Sequence, residues 1–324
     1  MILTAQRSTT STEQQQGELF SLLLRLEPEA AGQVLPGSGS HIQAAFLDLV
    51  RQGDPALADE LHRPNQRRPY TLSLLKGFHH LTETTLEEAI QRQQPVDVAP
   101  GQHYWLRITM LKPQIFELFL QRLLLSPQNF ALRIGTASFR ISRFLAAEQE
   151  PHPWVDYTTF AQLMQEASMV RTHYRLEFAS PTAFSKGQCH WGKQLLLFPG
   201  AADVFEGIAR QWEYFAPEPL RLVQQGLTTD DIASWCNENM IVTYYELKTR
   251  YLPSRKFGMT GFLGHITYEV KGSMRDPIVR WLTPLARFAL FSGVGYKTAM
   301  GMGQCRWIRQ DDLTAKSAGE GGEV

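Results

Sequence analysis

The stretch "GVGYKTAMGMGQCRW", residues 293–307, gathers Gly293, Gly295, Gly301 and Gly303 around Lys297. Glycines this dense mark backbone that must turn with φ > 0 or pass within contact distance of another group. With a lysine among them, a phosphate suits the loop, held by backbone amides and one cation. A dinucleotide-binding loop would follow a strand, open a helix and read GxGxxG, with an acidic residue about twenty positions on. Here the loop follows a helical pattern and leads into a last strand. The Walker pattern GxxxxGK[ST] is missing. Two readings remain: contact with an RNA backbone, or packing across a domain interface. Metal chemistry has little to draw on, since Cys189, Cys236 and Cys305 lack CxxC spacing and no acidic or Cys/His cluster has ligand spacing. No metal and no cofactor are expected.

The elements that must position this loop are legible in outline. A chain of 324 residues suggests two domains. Lysine plus arginine equal aspartate plus glutamate at 32 each, which argues against a protein that simply coats a polyanion. A neutral total still leaves room for a basic groove on one face. The first seventeen residues are polar, with no apolar run to serve as signal peptide or membrane span. The expectation is a cytoplasmic protein with no membrane partner. "ELFSLLLRLEP" reads as a strand, "HIQAAFLDLV" as a helix ended by Gly53, and Asp54-Pro55 as the cap and first turn of a second short helix. "RPYTLSLLKGF" and "HYWLRITML" read as strands; in the latter Tyr104, Leu106, Ile108 and Met110 alternate with Trp105, Arg107 and Thr109. A helix, "KPQIFELFLQRLLL", and extended chain over "FALRIGTASFRISRF" complete the half. After Pro151 and Pro153 the order recurs: strand "THYRLEFASP", helix "DVFEGIARQWEYF", strands "IVTYYELKTRY" and "GFLGHITYEVKG", helix "PIVRWLTPLARFALF", and last strand "GQCRWIR". This order predicts an α+β protein of two tandem ferredoxin-like (RRM-like) domains. The divisions are a flexible N-terminus at 1–17, domains at 18–150 and 151–312, and a flexible tail at 313–324.

The sequence resembles the CRISPR repeat-processing endoribonucleases, within the superfamily of repeat-associated RNA-binding proteins. The resemblance spans most of the chain. It is carried by the glycine-rich loop after the last helix, by "HYRLEFASPTAF" and "GFLGHITYEVKG", and by "HIQAAFLDLVRQGDPALADELHRPNQRRPYTLSLL". It implies two ferredoxin-like domains and metal-independent cleavage of repeat RNA. The products would be ends with a 2′,3′-cyclic phosphate and a 5′-hydroxyl. The implied partner is repeat RNA or its processed crRNA, with subunits of a CRISPR effector complex and a homodimer as further partners. A non-catalytic RNA-binding subunit on the same scaffold is the alternative.

That chemistry needs a base for the 2′-hydroxyl, an acid for the leaving oxygen and a cation for the phosphate. Among nine histidines, the resemblance singles out His62 in "ALADELH" as catalytic, against the plainer reading of a helix-terminal histidine offsetting the dipole. Arg68, with Arg67 beside it, falls where some relatives carry lysine; arginine holds a phosphate well but donates protons very poorly. Leu47 falls where other relatives carry tyrosine and leaves His62 short of a partner. His41, at the start of the first helix, is the candidate for that place. His79 and His80 would point to opposite faces if their stretch is a strand. RNA grip is expected from Lys297, from Arg255 and Lys256 in "LPSRKFG", from Lys186 and Lys193 in the loop around "KGQCHWGK", and from Arg140 and Arg143 in "SFRISRF". Each could equally be an ordinary solvated charge.

Overall fold

The computed structural model describes residues 17–64, 66–125, 131–146, 152–253 and 258–309. The first half runs β1 (Glu18–Pro28), β2 (Gly32–Val34), α1 (Gly39–Gly53), α2 (Pro55–His62), β3 (Tyr70–Leu72), α3 (Glu83–Gln91), β4 (Val96–Val98), β5 (Tyr104–Met110), α4 (Pro113–Leu125), β6 (Ala131–Ile134) and β7 (Ala137–Leu145). The second runs β8 (Asp156–Thr159), α5 (Phe160–Gln165), β9 (His173–Thr182), β10 (Phe184–Cys189), β11 (Gly192–Leu196), α6 (Ala201–Phe215), α7 (Thr229–Asn239), β12 (Met240–Leu252), β13 (Met259–Val270), α8 (Val279–Ser292) and β14 (Cys305–Ile308).

Local chemistry sets the helix starts. The Ser38 side chain accepts from the His41 amide and caps α1, while Ile42, Phe46, Leu49 and Val50 turn inward. Asp54 caps α2 by accepting from the Leu57 amide at 2.9 Å, with Pro55 in the first turn. Alternation sets the strands. On β5 the four residues expected on one face, Tyr104, Leu106, Ile108 and Met110, are fully buried. They join Leu22, Leu24 and Phe46 in the first core.

The first sheet is ordered β3-β5-β1-β7-β6, and the second β12-β13-β9-β14. In each unit the four main strands lie second, third, first, fourth, the ferredoxin-like arrangement. The second core centres on Trp212, Trp281 and Phe288. Beyond the expected elements, β8 pairs antiparallel with the start of β1, Phe20 opposite Tyr157.

Three local expectations need correction. "RPYTLSLLKGF" is in the ladder only over Tyr70–Leu72. At Ser73 the ladder is interrupted: its amide still donates to the Arg107 carbonyl at 3.0 Å, but the Arg107 amide goes to the Ser73 hydroxyl at 2.9 Å, and pairing with β5 returns only as a bridge between Lys76 and Trp105. His79 and His80 lie in an exposed turn, so the strand argument about their faces does not apply. "KGQCHWGK" is no irregular loop; it forms most of the β10–β11 hairpin.

Trp105, Arg107 and Thr109 do face away from the first core, but Arg107 and Thr109 are buried by the second half. Arg107 donates to the Trp154 carbonyl at 2.9 Å, to the Leu290 carbonyl at 2.5 Å and to the Gln304 side-chain oxygen. Thr109 donates to the Phe291 carbonyl at 2.6 Å. Carbonyls at a helix C-terminus have no intrahelical partner and favour a cation, so α8 ends on groups supplied by β5. Gln304 turns its amide back to the Thr71 hydroxyl and the Leu72 carbonyl. Burial pushes the Arg107 guanidinium below the usual arginine range, because water that would solvate the charge is excluded.

Candidate active site

The glycine-rich loop leaves α8 at Gly293 and is tied to the end of β9. The Tyr296 amide donates to the Ala183 carbonyl at 2.8 Å, and the Gly303 amide to the Pro181 carbonyl at 3.0 Å. All four candidate glycines sit at positive φ, from 61° to 88°. The groups this backbone approaches are protein. A methyl on Gly301 would overlap the Leu74 side chain, and one on Gly39 would overlap the Met300 carbonyl. The loop is thus a seam, with the first turn of α1 laid against residue 300. Of the two readings of the glycines, packing across the interface accounts for these contacts.

Next to that seam is a cavity of about 360 Å³, whose walls include His41, Ser38, Lys297, Met300, Gln93 and Pro253. It therefore brings together two candidates from opposite ends of the sequence. His41 is half-buried, and its Nδ1 is buried without a hydrogen-bond partner among the described residues. Its amide is taken by Ser38, while α1 directs the positive end of its dipole toward the same opening. Lys297 is a non-glycine residue at φ 56°. Its ammonium lies 5.3 Å from the centre of the Tyr296 ring, and the Lys193 ammonium lies 4.0 Å from the same centre. A titratable imidazole, a helix N-terminus and a lysine at one opening can hold an anion and move a proton beside it.

His62 ends α2 and is exposed; it lines neither this cavity nor a second one of about 310 Å³. That second cavity is walled by Glu60, Arg67, Arg68, Lys112 and Tyr214, among others. Arg68 donates to the Leu61 carbonyl and, at 3.3 Å, to the His62 carbonyl, so its guanidinium closes the C-terminal end of α2. Arg67 lies 5.9 Å over the Tyr214 ring and is pushed below the usual arginine range by burial, and further by Arg210. Leu47 is buried in the first core, away from either opening.

The other candidate cations are more scattered. Lys186 pairs with Asp203, and Arg140 with Glu27 at 2.6 Å. Arg143 lines a third cavity, of about 570 Å³, together with Trp105 and Trp154. Arg255 and Lys256 lie outside the described residues. Sequence reasoning passed over Tyr296, which stands between Gly295 and Lys297 and gathers two lysines. It also passed over Ser38, though a serine three residues before His41 is a helix-cap signal.

Comparison with known proteins follows the same outline. The model described as the CRISPR Cas6 N-terminal domain matches residues 19–165, and that of the CRISPR-associated endoribonuclease Cas6 matches residues 176–305. A curated Cas6 endoribonuclease from Streptococcus thermophilus is 27% identical over 143 residues, 44% of this chain and 53% of the relative. One from Mycobacterium tuberculosis is 27% identical over 181 residues, 55% of this chain and 50% of the relative. The match thus spans about half the length of these curated relatives. A product complex of the Thermus thermophilus protein Cas6 (TTHB231) aligns with a TM-score of 0.71 over 90% of this chain and 100% of that one, at 24% identity, a likeness of fold. A substrate mimic complex of Cas6 (TTHA0078) aligns at 0.60 over 90% and 99%, at 26% identity. With the two domain models together covering most of its length in the order of its two sheets, the chain belongs to the CRISPR-associated endoribonuclease Cas6 family.

Proposed function

We propose that this chain is a metal-independent, sequence-specific endoribonuclease. It cuts CRISPR repeat RNA to leave a 2′,3′-cyclic phosphate and a 5′-hydroxyl. The observation that carries the reading is the single cavity shared by His41 and Lys297. The 2′-oxygen attacks the adjacent phosphorus while a base takes its proton, and the bond to the 5′-oxygen breaks as an acid returns a proton to it. No water is consumed in that step. His41 acts as the acid or base at the cavity, since an imidazole can both take up and give up a proton. Lys297 and the amides of the first turn of α1 stabilise the charge that grows on the phosphate. His62 is the candidate for the second proton-transfer group, with Arg67 and Arg68 as fixed positive charge beside it. Lys193 and Lys186 on the β10–β11 hairpin, with Arg140 and Arg143 on β7, extend the grip along the RNA backbone. Support also comes from the relatives described as Cas6 endoribonucleases. The first unit would supply the histidines and the second the loop lysine.

The test is to incubate the protein with repeat RNA in EDTA and map both product ends. Cleavage with cyclic phosphate and 5′-hydroxyl ends is expected. An obligatory magnesium or manganese ion, or 5′-phosphate ends, would overturn the chemistry. The second reading, an RNA-binding subunit without turnover, is favoured by the burial of Leu47 where other relatives carry tyrosine. Tight binding of repeat RNA with no product would establish it.

A further inference from the structure

The two main sheets end on β3, β6, β12 and β14. Three of these edges are short, with 3 residues in β3 and 4 each in β6 and β14, and offer little to another strand. β12 differs: it runs 13 residues, and its neighbour in the sheet is β13 on one side alone. α3 covers the far end of its free edge, where Arg250 pairs with Glu87 at 2.9 Å and the Gln91 side chain donates to the Tyr251 carbonyl at 2.9 Å. That carbonyl fixes the parity of the rest. In an antiparallel ladder a residue turns its N–H and C=O to the same side, alternately toward and away from its neighbour. The register with β13 is unbroken from Tyr244 to Leu252. Tyr245, Leu247 and Thr249 therefore turn their backbone groups outward, as Tyr251 does.

Side chains flank this row on both faces of the sheet. On one face the Tyr245 and Phe198 rings meet edge to face at 6.0 Å; on the other the Arg175 guanidinium lies 5.5 Å from the centre of the Tyr244 ring. All three rings are exposed. Glu246 and Lys248 are exposed on the Tyr244 face, and among the described residues neither is in an ion pair. Glu246 accepts from the Tyr244 hydroxyl at 3.2 Å. We propose that this edge seats a second copy of the chain, two β12 strands joining antiparallel about a two-fold axis at Leu247. Charge chooses the axis. It sets Glu246 of each copy opposite Lys248 of the other, between the hydrogen-bonded pairs, where side chains approach most closely. An axis at Glu246 or Lys248 would bring like charges face to face, and one at Thr249 would set Lys248 against Arg250. An axis at Tyr245 pairs neither charge with its opposite. The interface uses the same residues from both copies and so closes at two. α3 limits the ladder to Tyr245–Thr249 of each copy, so the dimer forms as concentration rises and parts on dilution. The inference goes beyond the proposed function and holds whether or not the chain cuts RNA.

The test is sedimentation velocity of the full chain over a concentration series, with RNA removed by nuclease and a high-salt wash. The parent should pass from monomer to dimer. Glu246→Lys and Lys248→Glu should each weaken the dimer by roughly tenfold or more, since each turns both attractive pairs into repulsive ones. An equimolar mixture of the two variants should dimerise again, because every pair across the mixed interface is then lysine against glutamate. Thr249→Pro, which removes an outward N–H at an edge, should also weaken it; circular dichroism and melting temperature show that each variant is folded. A parent that stays monomeric at every concentration would overturn the proposal, as would a dimer that both charge variants leave unchanged. A mixture that stays monomeric would overturn the pairing about Leu247. A dimer that vanishes with the RNA would show that nucleic acid, not β12, bridges the copies.

Discussion

At Lys297 the backbone is held at φ 56°, a conformation that costs a non-glycine residue about 1–3 kcal/mol. Glycine would sit there without strain, in a loop that already has four. The side chain is therefore kept against a local penalty, and that makes a prediction. Lys297→Gly should leave the melting temperature unchanged or raise it, while weakening repeat-RNA binding and lowering the salt slope by roughly one unit. A lower melting temperature with an unchanged slope would return the lysine to a structural role. The histidines separate on kinetics. His41→Ala should slow single-turnover cleavage by about 10²- to 10⁴-fold, the usual worth of general acid–base catalysis. His62→Ala should do the same if it supplies the second proton-transfer group, and should be nearly silent if it only ends α2. An active His41→Ala enzyme would remove the proposed site. Residue identity was readable in the sequence; proximity was not. His41 and Lys297 share a cavity because α1 and the loop pack on each other through Gly39 and Met300, and nothing in either local pattern states that contact.

At the scale of elements, the seam between the halves makes its own demand on residue 301. Gly301 sits at φ 88° with Leu74 against it. Gly301→Ala should destabilise the protein by about 1–3 kcal/mol through strain at that φ, and by more if Leu74 has no room to move. A urea melt checks this, and an unchanged midpoint would show that the seam yields. The elements divide into those that could be read from sequence and those that could not. β1, β5, α1 and α8 carry long periodic patterns with caps or breakers, and their outlines were legible. β3 is shorter than its pattern because the Arg107 amide goes to the Ser73 hydroxyl and not to its carbonyl, a side-chain contact that alternation does not state. α3 was passed over, although Thr82 accepts from the Thr85 amide at 3.1 Å as an ordinary cap; its short, charged sequence buries little. The β10–β11 hairpin was hidden because its exposed strands lack alternation.

At the scale of the whole molecule, the two ferredoxin-like units meet through Arg107, a buried cation whose recorded hydrogen-bond partners include two carbonyl oxygens and an amide oxygen. Arg107→Met would leave these acceptors without their donor. The expected loss is at least about 1.5–3 kcal/mol, the worth of one hydrogen bond to a charged group. If the cation is what couples the halves, the variant should also unfold in two steps in urea where the parent unfolds in one. Calorimetry and fluorescence melts that still coincide would show that apolar packing couples them without it. This organisation also bears on how the protein comes into being. The proposed cleavage cavity takes one wall from the first helix and another from the loop before the last strand, with almost the whole described sequence between them. During synthesis the N-terminal unit emerges and folds first, and contacts of such long range close late. A ribosome-bound chain thus presents the first unit, His41 included, before the groups that cover Arg107 and Thr109 have been made. Through that interval it has His41 without Lys297, so on the proposed mechanism the site is completed only when the last loop is made.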